Sequence, residues 1–255
     1  MYNDKTAARL HQLCNANKEL DEVVKQMESE HQFVISQITH EIRNPLTLIS
    51  STVQLIESHY PEVAESNLWE QLTEDISDLI LLLEDVTTYN HSNELNLEST
   101  NLYEMLQKLT QSFIIYTANN DIKIQLNATE DSLSKIESFV CDSVKLKQAF
   151  TNIIKNAVEA IGESGVIYIT IQEEVNNLDA PDNTTDYITI SFKNNGEPID
   201  LREQPNIFKP FITYKPNGTG MGLAITDQII NAHDGFIKCL FDDTWTEFKI
   251  FLPIR

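Results

Sequence analysis

The sequence predicts an α + α/β chain: a helical hairpin first, then an α/β sandwich. Three observations predict it. As far as Val86, apolar residues recur mostly three and four positions apart, the spacing of helices that bury one stripe. A proline-containing break, His59-Tyr60-Pro61, cuts this helical part in two. From Ile122 onward, short alternating apolar runs are interleaved with helix-length patterns, as in a sheet covered on one face by helices.

Taken in order, Leu10, Leu13, Asn17, Leu20, Val24, Met27 and His31 follow a three-four spacing and read as a coiled-coil seam over residues 1–32. Asn17, polar at an inner position, would favour pairing in one register. The four-residue step from His31 to Ile35 is a stutter, a local unwinding point. Beyond it, Ile35, Ile38, Ile42, Ile49 and Ile56 keep one face apolar. With Ile35 and Ile42 at heptad position a and Ile38 at d, His40 falls at the outermost position, facing solvent, and Arg43 and Asn44 lie off the seam. Pro45 removes a backbone donor and is expected to bend the helix just after His40. After the break, Trp69, Leu72, Ile76, Leu79, Leu83 and Val86 form a second a/d series. One hairpin exposes too wide an apolar stripe to stand alone, and two in a four-helix bundle would bury it, so a homodimer is expected. Residues 90–96, polar and without period, read as a hinge.

The remainder reads as a helix over Leu102 to Tyr116, a strand at Ile122 to Leu126, and a short strand at Phe139 to Cys141. Asp142 is placed to cap a helix running to Ile161, which Gly162 ends. Strands follow at Val166 to Ile171 and Tyr187 to Phe192, then a helix at Gly220 to Ala232 and strands at Phe236 to Phe241 and Phe248 to Leu252.

Composition narrows the function classes. The chain has 255 residues and a formal charge of −21, which argues against unaided nucleic-acid binding and against attraction to anionic membranes. Cys14, Cys141 and Cys239 are scattered without metal spacing and suit a reducing cytoplasm better than a disulfide framework. The longest apolar runs, such as Leu79 to Leu83, are too short to span a bilayer, and no signal-peptide pattern opens the chain.

Five sequence features carry chemistry. The run Ile38-Thr-His40-Glu41-Ile-Arg-Asn44-Pro-Leu-Thr47, with Phe33 before it, places a reachable imidazole on a helix. Asn152-Ile-Ile-Lys-Asn156-Ala sets two amides one helical turn apart. Lys193-Asn194-Asn-Gly196-Glu-Pro-Ile199 follows a strand, and Ile207-Phe208-Lys-Pro-Phe211 precedes a polar segment at Thr213 to Asn217. Gly218-Thr219-Gly220-Met-Gly222-Leu223-Ala opens a helix, and its glycines let backbone N–H groups approach an anion.

In this order, over residues 33–255, these features resemble the phospho-acceptor box and the ATP-binding boxes of sensor histidine kinases of two-component systems. The resemblance implies a dimerisation and histidine phosphotransfer domain at 33–93 and a catalytic ATP-binding domain of the gyrase/histidine-kinase type at 94–255, with 1–32 as a signalling helix. It implies that His40 takes the γ-phosphoryl group of ATP and passes it to an aspartate on a response regulator receiver domain. Glu41 would polarise or deprotonate the ring, and Asn44 would orient a water in a phosphatase reaction on that regulator. Asn156 would hold Mg²⁺, an ion that takes oxygen ligands, and Asn152 would support the phosphates. Gly196, Phe208, Lys215, Gly218, Thr219, Gly220, Gly222 and Leu223 would surround the nucleotide, Lys215 reaching a phosphate. Thr246 would bond near adenine. Related gyrase-type ATPases carry a general-base glutamate where Asn152 stands; an amide takes no proton, so ATP would be kept for His40. The chain departs from the family at Asn194, where an adenine-binding aspartate is usual, and at Pro198, where a second glycine is usual. The amide still offers an acceptor but loses charge-assisted strength, on the order of 1 kcal/mol. That departure keeps open an alternative, a phosphotransferase or phosphatase with a weakened nucleotide site. A gyrase-type ATPase and a purely structural coiled coil explain fewer of the features.

Overall fold

The structure, a computed structural model, describes residues 17–174, 186–215, 218–242 and 244–254. Leu10, Leu13 and Cys14 lie outside the described residues, as does the end of the segment from Thr213 to Asn217. The chain divides into two compact units, Met1–His91 and Ser92–Arg255.

The first unit is a hairpin of α1 (Lys18–His59) and α2 (Asn67–Asn90), joined by a 3₁₀ turn at Pro61–Glu65. Asn17 Oδ1 accepts from the Leu20 N–H at 3.3 Å, as a helix-start side chain does. The helix runs on through the stutter and through Pro45. On the α2 side the predicted Trp69, Ile76 and Leu83 join the two helices, but on the α1 side the isoleucines of the predicted stripe do not. Leu46, Val53 and Ile76 form the buried cluster, with Trp69, Ile80 and Leu83 packed against it, and Thr39 is buried with its hydroxyl donating to the Ile35 carbonyl at 2.8 Å. Ile38, Ile42, Ile49, Leu72 and Leu79 stay exposed. Thr39, Leu46 and Val53 are seven apart, but a threonine in that row hides the stripe from a purely apolar count. Arg43, expected off the seam, reaches across to the Thr87 hydroxyl at 3.1 Å. No helix among the described residues is long and apolar enough to cross a membrane.

The second unit is built on a five-stranded sheet. Its strands are β2 (Asp121–Ala128), β4 (Ser164–Glu174), β5 (Tyr187–Asn194), β6 (Phe236–Phe241) and β7 (Thr246–Pro253). The order is β2-β4-β5-β7-β6, with β2 and β4 parallel and the other pairs antiparallel. A separate small ladder pairs β1 (Glu98–Thr100) with β3 (Phe139–Cys141). Helices α3 (Leu102–Tyr116), α5 (Ser143–Ile161) and α6 (Gly222–Ala232) supply the core-facing side chains. A short helix, α4 (Glu130–Ile136), was not expected from the sequence; it shows only two apolar residues, of which Ile136 is buried.

Strand alternation explains the layering. Ile167, Ile169 and Ile171 on β4, Ile188, Ile190 and Phe192 on β5, and Phe248, Ile250 and Leu252 on β7 are buried every second residue. Phe150 of α5 meets Phe192 at 5.5 Å between ring centroids. Each such side chain contributes about 2–3 kcal/mol through burial. The intervening positions carry polar pairs such as Lys249–Glu174 at 2.7 Å, and Lys193 over the Trp245 ring at 5.0 Å.

Two predicted helix signals hold. Asp142 caps α5, its Oδ1 accepting from the Lys145 N–H at 3.0 Å, and Gly162 ends it at φ 72°. The segment read as a hinge is anchored along most of its length. Asn90 donates to the Gln32 carbonyl at 2.7 Å, and His91 lies 3.3 Å from the Ser36 hydroxyl. Ser92 bonds Gln228 on α6, the Asn96 N–H donates to Asp142 Oδ2 at 2.9 Å, and Lys145 donates to the Ser92 and Glu94 carbonyls.

Candidate functional site

In the first unit, α1 presents His40 and Glu41 as neighbours and Asn44 one turn on, all exposed. Thr39, the residue before it, takes the buried position, and the His40 ring is left exposed.

In the second unit, α5 meets the start of α6 at Asn152, the Lys215 segment at Asn156 and the Gly196 turn at Ala160. Both asparagines of α5 are half-buried. Asn152 Nδ2 donates to the Gly222 carbonyl at 3.1 Å, bracing the first residue of α6. Asn156 Oδ1 accepts from the Lys215 ammonium at 3.0 Å, and the same ammonium bonds Glu159, one turn further along α5. An amide oxygen beside a carboxylate is therefore already holding a cation.

The glycine-rich segment is shaped by a crossing of two backbones. The Phe211 N–H donates to the Gly220 carbonyl at 3.1 Å. Phe211 and Gly220 both have positive φ, 63° and 68°. A Cβ on Gly220 would sit 2.7 Å from the Ile212 backbone, so no side chain fits. Helix α6 then starts at Gly222, its first N–H groups oriented as an anion site. Gly218 lies against the Thr213 hydroxyl, and the Thr219 hydroxyl accepts from the Met221 N–H at 3.3 Å. Leu223 is half-buried in the first turn. Phe208 packs edge-on against Phe248 at 6.4 Å, while Phe211 is exposed.

The last segment joins two strand ends. Asn194 closes β5 and pairs with Thr246, which opens β7; both are buried. The amide is satisfied with Nδ2 donating to the Thr246 carbonyl at 3.3 Å and Oδ1 accepting from the Gly196 N–H at 3.1 Å. Gly196 presses on α5: a Cβ there would lie 2.5 Å from the Ala160 carbonyl carbon. The Thr246 hydroxyl is buried and has no partner among the described residues. A hydroxyl left bare beside an amide is the chemistry that a heterocyclic base satisfies.

Residues 141–255 match the family model described as histidine kinase-, DNA gyrase B- and HSP90-like ATPase. Sporulation kinase A of Bacillus subtilis is 31% identical over 223 residues, covering 85% of this chain and 33% of that protein. The sensory histidine kinase/phosphatase NtrB of Azospirillum brasilense is 28% identical over 226 residues, covering 86% of this chain and 54% of that protein. Over most of its length the chain is similar to sensor histidine kinases. The catalytic domain of histidine kinase ThkA is 28% identical, with a TM-score of 0.52 over 63% of this chain and 96% of that one. Full-length ShkA in complex with AMPPNP shares the fold at 20% identity, with a TM-score of 0.67 over 86% of this chain and 45% of that one. The chain spans between a third and just over half of the length of the two curated relatives above.

Three features of this fold carry no sequence signal. Glu159 shares the Lys215 ammonium with Asn156. Asn195 Oδ1 accepts from the Val166 N–H at 2.7 Å and so holds the Gly196 turn to β4. The third is a buried cluster behind the site. The His233 ring accepts from the Asp142 N–H at 3.0 Å through Nε2, and its Nδ1 donates to the Ile229 carbonyl at 2.7 Å, which makes it neutral. This joins the end of α6 to the start of α5. Burial raises the Asp142 carboxyl, but the Asn96 and Lys145 N–H bonds and the Lys145 charge bring it below its ordinary value. Burial pushes the Asp227 carboxyl on α6 up, and a bond with Asn231 offsets part of that.

Proposed function

We propose that this chain is the catalytic core of a homodimeric two-component kinase: it binds ATP in the second unit, phosphorylates His40, and passes the phosphoryl group to an aspartate of a response regulator receiver domain. The observation that carries the reading is the exposed His40 on a helical hairpin, in a chain whose second unit ties Asn152 to the start of α6, Asn156 to Lys215, and Asn194 to Thr246 across the β5–β7 pair. The exposed Ile38, Ile42, Ile49, Leu72 and Leu79 support pairing of two hairpins through a four-helix bundle.

The reaction is an in-line transfer. A ring nitrogen of His40 forms the N–P bond as the bond from the γ-phosphorus to the bridging oxygen breaks, and ADP leaves. Glu41 takes up the ring proton. The protein's contribution is positioning and charge neutralisation. The N–H groups opening α6 receive the phosphate oxygens, Asn152 keeps that turn in place, and Thr246 and Asn194 receive the base. Asn156 Oδ1 would hold Mg²⁺, with Glu159 beside it; the ion would neutralise phosphate charge. Lys215, now on Asn156, would then be available to a phosphate.

Incubation with γ-labelled ATP and Mg²⁺, beside His40→Gln, tests this. Label that is acid-labile, alkali-stable and absent from the variant is the expected outcome. An unlabelled but folded wild type rejects the kinase. Asn44→Ala is expected to leave His40 labelling within about threefold and to slow regulator dephosphorylation about tenfold or more, the size of a lost water-positioning group. An equal fall in both rates refutes the Asn44 role.

A second reading, a phosphotransferase or phosphatase with a weakened nucleotide site, rests on Asn194, which supplies no charge to the base. Regulator dephosphorylation without nucleotide binding would favour it.

A further inference from the structure

Asn194 and Thr246 differ in kind from an aspartate-based adenine site, and the difference concerns which base is admitted. After its two backbone bonds, the Asn194 amide keeps one N–H and one lone pair. The Thr246 hydroxyl, unpartnered among the described residues, both donates and accepts. A carboxylate at position 194 would offer acceptors alone. It would match the 6-amino group of adenine and repel a 6-oxo group. An amide and a hydroxyl side by side match either pattern. Adenine presents a donor at C6 and an acceptor at N1; hypoxanthine presents an acceptor at C6 and a donor at N1.

We propose that the Asn194–Thr246 pair admits 6-oxopurine nucleoside triphosphates alongside ATP. This rests on the nucleotide-site reading above. Strong rejection of a wrong base requires that a buried polar group be left unpaired or opposed. Neither base does so here. The burial of both residues makes the effect local to the base, because solvent cannot supply the missing partner.

Inosine triphosphate is the probe, since it differs from ATP only in the base edge facing this pair. A fluorescent sugar-labelled ADP is displaced from the full chain by ATP or by inosine triphosphate, with Mg²⁺ present. The wild type is expected to bind the two within about tenfold of each other, and Asn194→Asp is expected to raise the preference for ATP by about tenfold or more. The wild-type ratio tests the proposal without any variant. A wild-type preference for ATP of about a hundredfold or more overturns it, as does a ratio unchanged by Asn194→Asp in a protein that still binds ATP. Failure of both nucleotides to displace the probe, or of the probe to bind, instead rejects the nucleotide site itself.

Discussion

Gly220→Ala is expected to lower nucleotide affinity by about a hundredfold or more, equivalent to about 2.8 kcal/mol, while the helical hairpin stays folded. The residue has φ 68°, and an added Cβ would stand 2.7 Å from three backbone atoms of Ile212. Left-handed geometry costs a non-glycine residue about 1–2 kcal/mol. The overlap is the larger difficulty, because a backbone cannot turn aside as a side chain does. The Ile212 strand of the crossing must move, and the Phe211–Gly220 bond goes with it. Lys215, three residues beyond Ile212, then loses its place on Asn156 and Glu159. Titration with the sugar-labelled ADP measures the loss, and far-UV circular dichroism checks that helix content persists. Binding within threefold of wild type would show that the crossing does not shape the site.

Asp142→Ala is expected to destabilise the second unit by about 2–4 kcal/mol at neutral pH. About 1 kcal/mol is the lost helix cap on the Lys145 N–H, and the rest comes from the Asn96 N–H left without its acceptor. Chemical denaturation followed by the fluorescence of Trp245, in a Trp69→Phe background, reports this unit. The carboxyl also sets a pH dependence. Its folded pKa lies below its ordinary value, so its contribution is complete above the ordinary carboxylate range and is lost as pH falls through the lowered value. Wild type should therefore lose stability below about pH 4, and Asp142→Asn, which keeps one cap acceptor, should lose less over the same interval. Parallel acid limbs in the two proteins would rule out this carboxyl as the source. Because Asp142 also donates its own backbone N–H to His233 Nε2, this link between α5 and α6 survives both substitutions.

Local chemistry was legible before any coordinates. The helix cap at Asp142, the stop at Gly162, the break at His59-Tyr60-Pro61 and most element positions follow from period and from residues with one strong backbone preference. The candidate site residues stand out in the sequence for a different reason: phosphate, metal and base each require particular groups at short spacings, and those spacings lie within single segments. What spans segments was not legible. Nothing in the order of residues places β4 between β2 and β5, or makes β2 and β4 parallel, because strand pairing is a choice among edges with similar alternation. The hairpin shows the same limit. Two apolar stripes were available on α1, and only the presence of α2 decided that Thr39, Leu46 and Val53 go inward and leave Ile38, Ile42 and Ile49 exposed. Asn194 read by itself is a weakened aspartate; its partner Thr246 lies fifty-two positions away and becomes its neighbour through the β5–β7 register. Sequence by itself therefore determined which groups are present and which local shapes they take. Tertiary structure decided which of them share a hydrogen bond, because that depends on distances closed by the burial of side chains far apart along the chain.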